Sequence, residues 1–263
     1  MRRELRLYFK LLKMHLLAVM EYKGWWLMCV QTIVVCVSDI LSTFLLFDRF
    51  GAIGRWSTAH IVMIYSFAVT SFGLAESFCR GFDYFPWHML RTGDFDRLLL
   101  RPMRLSVQVA GSVFHLHRLM RSLTGLVLLL WAWHRLQIAY TPINLLILLM
   151  ALAGGMILYM GVFIFSSGIA FYTVRALDWI FIFTNASYQI TRIPAEYMAP
   201  VLKHIFTFFM PMLVISYYPT AVLCGYESRS GLAFLSIPAG MLFCLFSLII
   251  WRIGVRHYTS TGS

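Results

Sequence analysis

GDFDRLLLRPM, Gly93 to Met103, is the stretch on which the fold of this chain is decided. Long apolar runs flank it, yet the segment itself is rich in Arg and holds only about two helical turns. Asp94 suits the helix N-cap, and Asp96 suits the positive end of the helix dipole. Phe95, Leu98 and Leu99 fall on one face at helical spacing, while Arg97, Arg101 and Arg104 lie off it. Pro102 disfavours helix at Arg101. A short, half-apolar helix between apolar runs reads in one of two ways. It docks a soluble partner, or it is a solvated loop helix.

Working outward, composition sets the class. The chain has 263 residues, 60% hydrophobic and 13% charged, with a mean hydropathy of +0.76. Soluble domains are roughly 45–50% apolar. A membrane span needs about 20 mostly apolar residues. The chain therefore reads as one all-α polytopic membrane domain over residues 1–263, with nothing left for a soluble domain. Spans are expected at Gly24–Phe47, Thr58–Cys79, Leu116–Trp133, within Ile143–Phe171, at Leu177–Ile193 and at Leu232–Trp251. All eight Trp then fall near interfaces, as aromatic belts require. Residues 1–23 read as a basic amphipathic interfacial helix. Arg3, Arg6, Lys10 and Lys13 share one face, and Leu5, Phe9, Leu12 and Leu16 share another.

Charge sets the expected orientation. Of the 22 Lys and Arg, only Arg49, Arg55, Arg135, Arg192, Lys203 and Arg229 fall on one side. The rest fall on the other, so both termini and the 80–104 loop are expected in the cytoplasm. The net charge of +11 then points to anionic lipid headgroups rather than nucleic acid.

Residues 194–225 hold Pro194, Pro200, Pro211 and Pro219, which break helices. They read as re-entrant short helices dipping in from the outer side, rather than as a seventh span. Broken backbone at depth must lie against protein or a water-filled cavity. The segment is thus a gate over a pathway, through Pro211, Tyr217, Tyr218 and Pro219, or a packed plug.

Polar residues within spans are few. Asp39 reads as a pathway carboxylate or as one satisfied by hydroxyls such as Ser66 or Thr70. Glu76, near the inner end of its span, is expected at the headgroups. Asn185, Ser187 and Gln189 either line a cavity or bond another helix. Phe67, Phe72, Phe181, Phe183 and Tyr188 either contact an apolar substrate or serve in packing. Gly154, Gly155, Gly161, Ser166, Ser167 and Gly168 point to close helix packing.

Soluble chemistry has no motif here. The five cysteines form no CxxC pair, and His115 and His117 would diverge on a helix, so no metal site is expected. There is no GxxxxGK[ST], HExxH or GxSxG. Any nucleotide-powered transport must draw its power from another polypeptide. A secondary transporter or channel using Asp39 is the alternative, although no inverted repeat is visible. An intramembrane enzyme would lack a catalytic pair.

Five stretches carry a family resemblance: GDFDRLLLRPM at 93–103, HRLMRSLTG at 117–125, FYTV at 171–174, YYPTAVLCG at 217–225 and GVRHYTSTGS at 254–263. On these the chain resembles the membrane permease subunits of bacterial ABC type-2 exporters, in their six-span group. The resemblance implies six spans in the bacterial inner membrane, cytoplasmic termini and an N-terminal amphipathic helix. It also implies a coupling helix between spans two and three, and re-entrant helices before the last span. Asp94, Phe95, Asp96, Arg97, Leu98, Leu99, Leu100, Arg101 and Pro102 would dock on a cytosolic ATPase. Two ATPase copies, holding the ATP and Mg, would serve two permeases, identical or paralogous, in contact with lipid. Tyr172 and Arg175 depart from the family pattern, which more often has Trp and an acidic residue there.

Overall fold

A computed structural model of the chain describes residues 2–21, 23–50, 54–173, 184, 189–190, 193–226 and 231–259. These form helices α1 (Arg2–Glu21), α2 (Trp25–Phe50), α3 (Thr58–Phe85), α4 (Phe95–Leu99), α5 (Leu105–Ala110), α6 (Leu116–Arg135) and α7 (Pro142–Ala170). Then come α8 (Pro200–His204), α9 (Met212–Ile215), α10 (Tyr217–Leu223), α11 (Gly231–Phe234) and α12 (Ser236–His257). No strand occurs among the described residues. Trp25–Leu45, Thr58–Leu90, Pro142–Ala170 and Ser236–His257 are long and apolar enough to cross a membrane. The expected fifth span, Leu177–Ile193, lies outside the described residues except at 184, 189, 190 and 193.

α3 is the central helix, packed between α6 and α7, and α12 lies along α7. The α7–α12 contact follows from small residues seven apart. A Cβ on Gly161 would sit 3.1 Å from Cys244 Cα, and one on Gly168 would sit 2.9 Å from the Trp251 amide nitrogen. Backbones approach this closely only where side chains are absent.

α3 runs past its expected end at Cys79, through Phe85 and on into a π-turn over Pro86–Leu90. Pro86 lacks an N–H, which leaves the Phe82 carbonyl without its helical donor. The Ser167 hydroxyl of α7 donates to that carbonyl instead. The last helix also differs from expectation. Ser236 ends the preceding turn by donating to Val214 O at 2.9 Å and Ala233 O at 3.0 Å, so α12 starts four residues late.

Within residues 194–225 the helices are short, as the prolines require. Pro200 opens α8, which continues as a π-turn over Ile205–Phe209. The segment Pro200–Phe209 then meets Met212–Leu223 at a 73° bend. Pro211 sits in that break. α9 and α10 are buried against α7 and α3, whereas Val201, Phe208 and Phe209 are exposed.

α1 lies across the same end of the bundle as α4. Its Tyr8 hydroxyl donates to the Phe78 carbonyl, and Glu4 pairs with Arg104 at 3.0 Å. The expected apolar stripe is corrected in part. Leu12 is buried, but Phe9 faces outward. α1 turns the face carrying Glu4, Tyr8, Leu11 and Leu12 toward the protein, because those side chains find partners there.

Candidate functional site

The 93–103 stretch forms one turn of helix, α4, entered through Gly93 in the left-handed region at φ 78°. Asp94 occupies the N-cap but makes no side-chain cap hydrogen bond, contrary to expectation. It pairs instead with Arg97 at 3.2 Å and accepts from the Thr92 hydroxyl at 3.0 Å. The expected shared face of Phe95, Leu98 and Leu99 is also corrected. Phe95 is 0% exposed and Leu98 is buried, whereas Leu99 is exposed and Leu100 is 86% exposed. The helix ends at Leu99, and from there the chain turns away from the bundle, so only Phe95 and Leu98 are covered. Asp96 is half-buried, while Arg97, Arg101 and Pro102 are exposed.

Phe95 enters an aromatic nest. Its ring lies 5.1 Å from Phe85 of α3, 5.6 Å from Phe171 after α7 and 4.8 Å from Tyr258 after α12. Trp251 of α12 closes the nest at 4.9 Å from Phe85 and 5.3 Å from Phe171. The buried Gln108 amide donates to Leu98 O at 3.2 Å and Met103 O at 2.9 Å, fixing the loop behind the helix. α4 is thus bolted to the ends of three long helices while Leu99, Leu100 and Arg101 face outward. Phe95 is the side chain of α4 that touches the ends of all three.

A second cluster was not read from the sequence. Glu76, expected at the headgroups, is 1% exposed. It pairs with Arg80 one turn later, with Arg118 at 3.3 Å and with Arg121 at 2.9 Å on α6. Arg80 also pairs with Asp83 at 3.1 Å. The Arg121 guanidinium lies 5.5 Å over Phe72. The legible signal was the i, i+4 spacing of Glu76 and Arg80 beside two arginines three apart in HRLMR. The facing of α3 and α6 was not legible.

A third cluster ties the opposite end. Trp56, 0% exposed, donates its indole N–H to Glu196 at 3.1 Å. Arg55 pairs with Glu196, and the Tyr217 hydroxyl donates to it at 3.2 Å. The Arg55 guanidinium lies 4.7 Å over Tyr226, whose hydroxyl donates to Arg55 O at 3.0 Å. Burial alone would push the Glu196 carboxyl up. Hydrogen bonds from Arg55, Trp56 and Tyr217 outweigh it and hold the group below the ordinary glutamate value. A depressed folded pKa contributes stability above the unfolded value of about 4.3, and the contribution is lost as pH falls through the folded pKa. Glu196→Gln is expected to cost about 1 kcal/mol, at the low end because Arg55 and Glu196 are both partly in solvent. Thermal unfolding in detergent should show this deficit at pH 7 and lose it on acidification below the glutamate range. An equal deficit at every pH would assign it to shape rather than charge.

Of the expected path residues, Asp39, Phe67, Phe72 and Gln189 fall among the described residues. Phe67 packs in the core with Met63, Leu129 and Trp133. Phe72 meets Tyr159 at 5.0 Å and Phe163 at 5.6 Å. Both side chains are buried among core residues. Asp39 is half-buried, with the Tyr65 hydroxyl 3.5 Å from its carboxylate, not Ser66 or Thr70. Gln189 is exposed. Phe181, Asn185 and Tyr188 lie outside the described residues, as do Phe183, Ser187 and Arg175. Pro211, Tyr217, Tyr218 and Pro219 are all buried. His115 and His117 do not diverge, their ring centroids being 5.1 Å apart, because His115 is extended at the helix N-cap. Among the described residues no three His, Cys, Asp or Glu side chains are grouped to hold a metal.

A protein-family model described as ABC-2 family transporter protein matches residues 33–262. No curated protein and no solved structure matches.

Proposed function

We propose, from the premise that this chain belongs to the ABC-2 family of transporter proteins, that it is the membrane permease of an ATP-driven exporter. The membrane component of such a transporter is not an enzyme by itself. In this reading α4 is the coupling helix, and a cytosolic ATPase docks on Leu99, Leu100, Arg101 and Pro102, with Arg97 and Asp94 at the rim. Phe95 and Leu98 act from behind as the anchor. Two ATPases, holding ATP and Mg, serve two permeases. ATP-driven closure moves the paired α4 helices, and the aromatic nest passes that motion to α3, α7 and α12. This is a two-state element biased by nucleotide.

The observation that carries the reading is the joining of an exposed apolar tip to a buried aromatic anchor within one turn of helix. The bundle places α1, α4 and the end of α12 together, which accords with both termini and the 80–104 loop lying in the cytoplasm of a bacterial inner membrane. The bent helices of 194–225 are then re-entrant from the outer side, with Trp56 and Glu196 pinning them. Their buried tyrosines favour the packed plug over an open gate. With α6 crossing beside α2, α3, α7 and α12, five of the six expected spans fall among the described residues. α2 leaves Val30, Val34, Val37 and Leu41 uncovered, a face available to lipid or the second permease. Asp39 near that face remains a candidate path residue.

The test is affinity purification of the chain from its native membrane in mild detergent. An ATPase subunit carrying a P-loop should co-purify. Recovery of the intact chain without any nucleotide-binding partner, while transport persists on an ion gradient, would replace this reading with a secondary transporter.

A further inference from the structure

A cleft of about 650 Å³ opens between α1, α2 and α6, at the end of the bundle that carries α4. It plays no part in the docking reading above. Its two ends differ in chemistry. One end is formed by His115, His117, Arg118 and Arg121. The other is a mainly apolar strip of α2 carrying Trp25, Met28, Gln31, Thr32 and Val35. That strip runs about 15 Å along the helix at 1.5 Å per residue, from the start of α2 toward its middle.

The polar end carries surplus positive charge. Among the described residues Arg80, Arg118 and Arg121 pair with Glu76 and Asp83, three cations to two carboxylates, and no carboxylate lines the cleft. These cations also crowd the N-terminus of α6, where the helix dipole disfavours them. Two polar atoms there, Arg118 Nε and His115 Nε2, are buried without a hydrogen-bond partner. Both atoms are closed off from solvent, so it is the accessible parts of Arg118 and His115 that line the cleft. His115 is pushed down to about 4, by burial first and then by the His117 and Arg118 charges, so it meets the cleft as a neutral imidazole at pH 7. No carboxylate is among the described residues that line the cleft, so an anionic headgroup is matched by charge and a cationic one is not.

We infer that this cleft holds one anionic phospholipid, its phosphate against Arg118 and His115 and one acyl chain along the Trp25–Val35 strip of α2. A free anion would use the polar end alone and leave the apolar strip empty. A zwitterionic lipid would fill the strip but bring a cation toward a site that has surplus positive charge. The inference does not depend on the transporter reading, because the lipid is a resident group and not cargo.

The experiment is native mass spectrometry of the full chain in detergent, supplied in turn with phosphatidylglycerol, phosphatidylcholine and inorganic phosphate. One phosphatidylglycerol should be retained about tenfold more than phosphatidylcholine, a difference of about 1.4 kcal/mol. Arg118→Gln should remove that preference. Ala18→Trp fills the cleft from the exposed side of α1 and touches none of the ion pairs. It should reduce retention of phosphatidylglycerol about tenfold with the fold intact, so the test survives if Arg118→Gln misfolds. Equal retention of the two lipids, or undiminished phosphatidylglycerol on Ala18→Trp, would overturn the site. Thermal protection by inorganic phosphate equal to that by phosphatidylglycerol would assign the cleft to a free anion and overturn the lipid.

Discussion

Glu76→Gln is expected to cost on the order of 3–5 kcal/mol, the usual loss when one partner of a buried ion pair is removed. The side chain is nearly inaccessible, and three guanidiniums converge on its two oxygens. Gln keeps the shape and one acceptor oxygen but removes the charge. Arg118 and Arg121 would then face each other across a neutral amide, with Asp83 still paired to Arg80. Water cannot readily replace the carboxylate, because α3 and α6 are in close contact here. The Cβ of an alanine at Gly73, one turn before Glu76, would meet the Ser122 amide nitrogen at 2.9 Å. Denaturant titration of the detergent-solubilised chain checks the figure. The double variant Glu76→Gln with Arg121→Gln should lose less than the sum of the singles, since it removes one of the stranded cations. A loss under about 1 kcal/mol from Glu76→Gln would show the cluster to be solvated, as surface pairs are.

Much of this architecture was legible in the sequence, and the reason is physical. Span length is fixed by membrane thickness, so apolar runs such as 142–170 announce themselves. Proline removes a donor wherever it stands, so the breaks at Pro200 and Pro211 were readable without neighbours. The small-residue run from Gly154 to Gly168 predicted close packing, and α12 is the helix packed there. What the sequence could not reveal was which helix faces which. Glu76 near a span end reads as a headgroup contact until α6 is seen to bring Arg118 and Arg121 across from it. Phe67 and Phe72 have the periodicity of lining and of core alike, and only the position of α7 separates the two. Helical spacing put Leu99 beside Phe95, but a single turn anchored by one aromatic turns its next residues outward. The five stretches that carried the family resemblance are brought together in groups. GDFDRLLLRPM, FYTV and GVRHYTSTGS meet at the Phe95 nest through Phe171 and Tyr258. HRLMRSLTG supplies the partners of Glu76. YYPTAVLCG places Tyr217 on Glu196. Each marks a junction between helices, which is where a change of one side chain is hardest to absorb.

The division of labour within α4 yields the second large effect, and it separates two roles that the sequence assigned to one face. Phe95→Ala is expected to cost about 3–5 kcal/mol, the range for emptying a buried aromatic site. It would empty the centre of a nest formed by Phe85, Phe171 and Tyr258. The loss should appear in the isolated chain, with no ATPase present. Leu100→Asp should do the reverse. Its side chain is almost fully exposed, so the isolated chain should unfold within about 0.5 kcal/mol of the parent. In the complex, however, the charge would be driven into an apolar contact without a partner. A central contact of this kind is worth about 2 kcal/mol or more, or roughly 30-fold in affinity. Co-purification with the ATPase checks the second effect, and thermal unfolding of the chain alone checks the first. A stable Leu100→Asp chain that retains the ATPase in full would remove the exposed edge of α4 from the interface. A Phe95→Ala chain that folds as the parent does but loses the ATPase would show that Phe95 swings out to meet the partner, and the anchor would have to be found elsewhere.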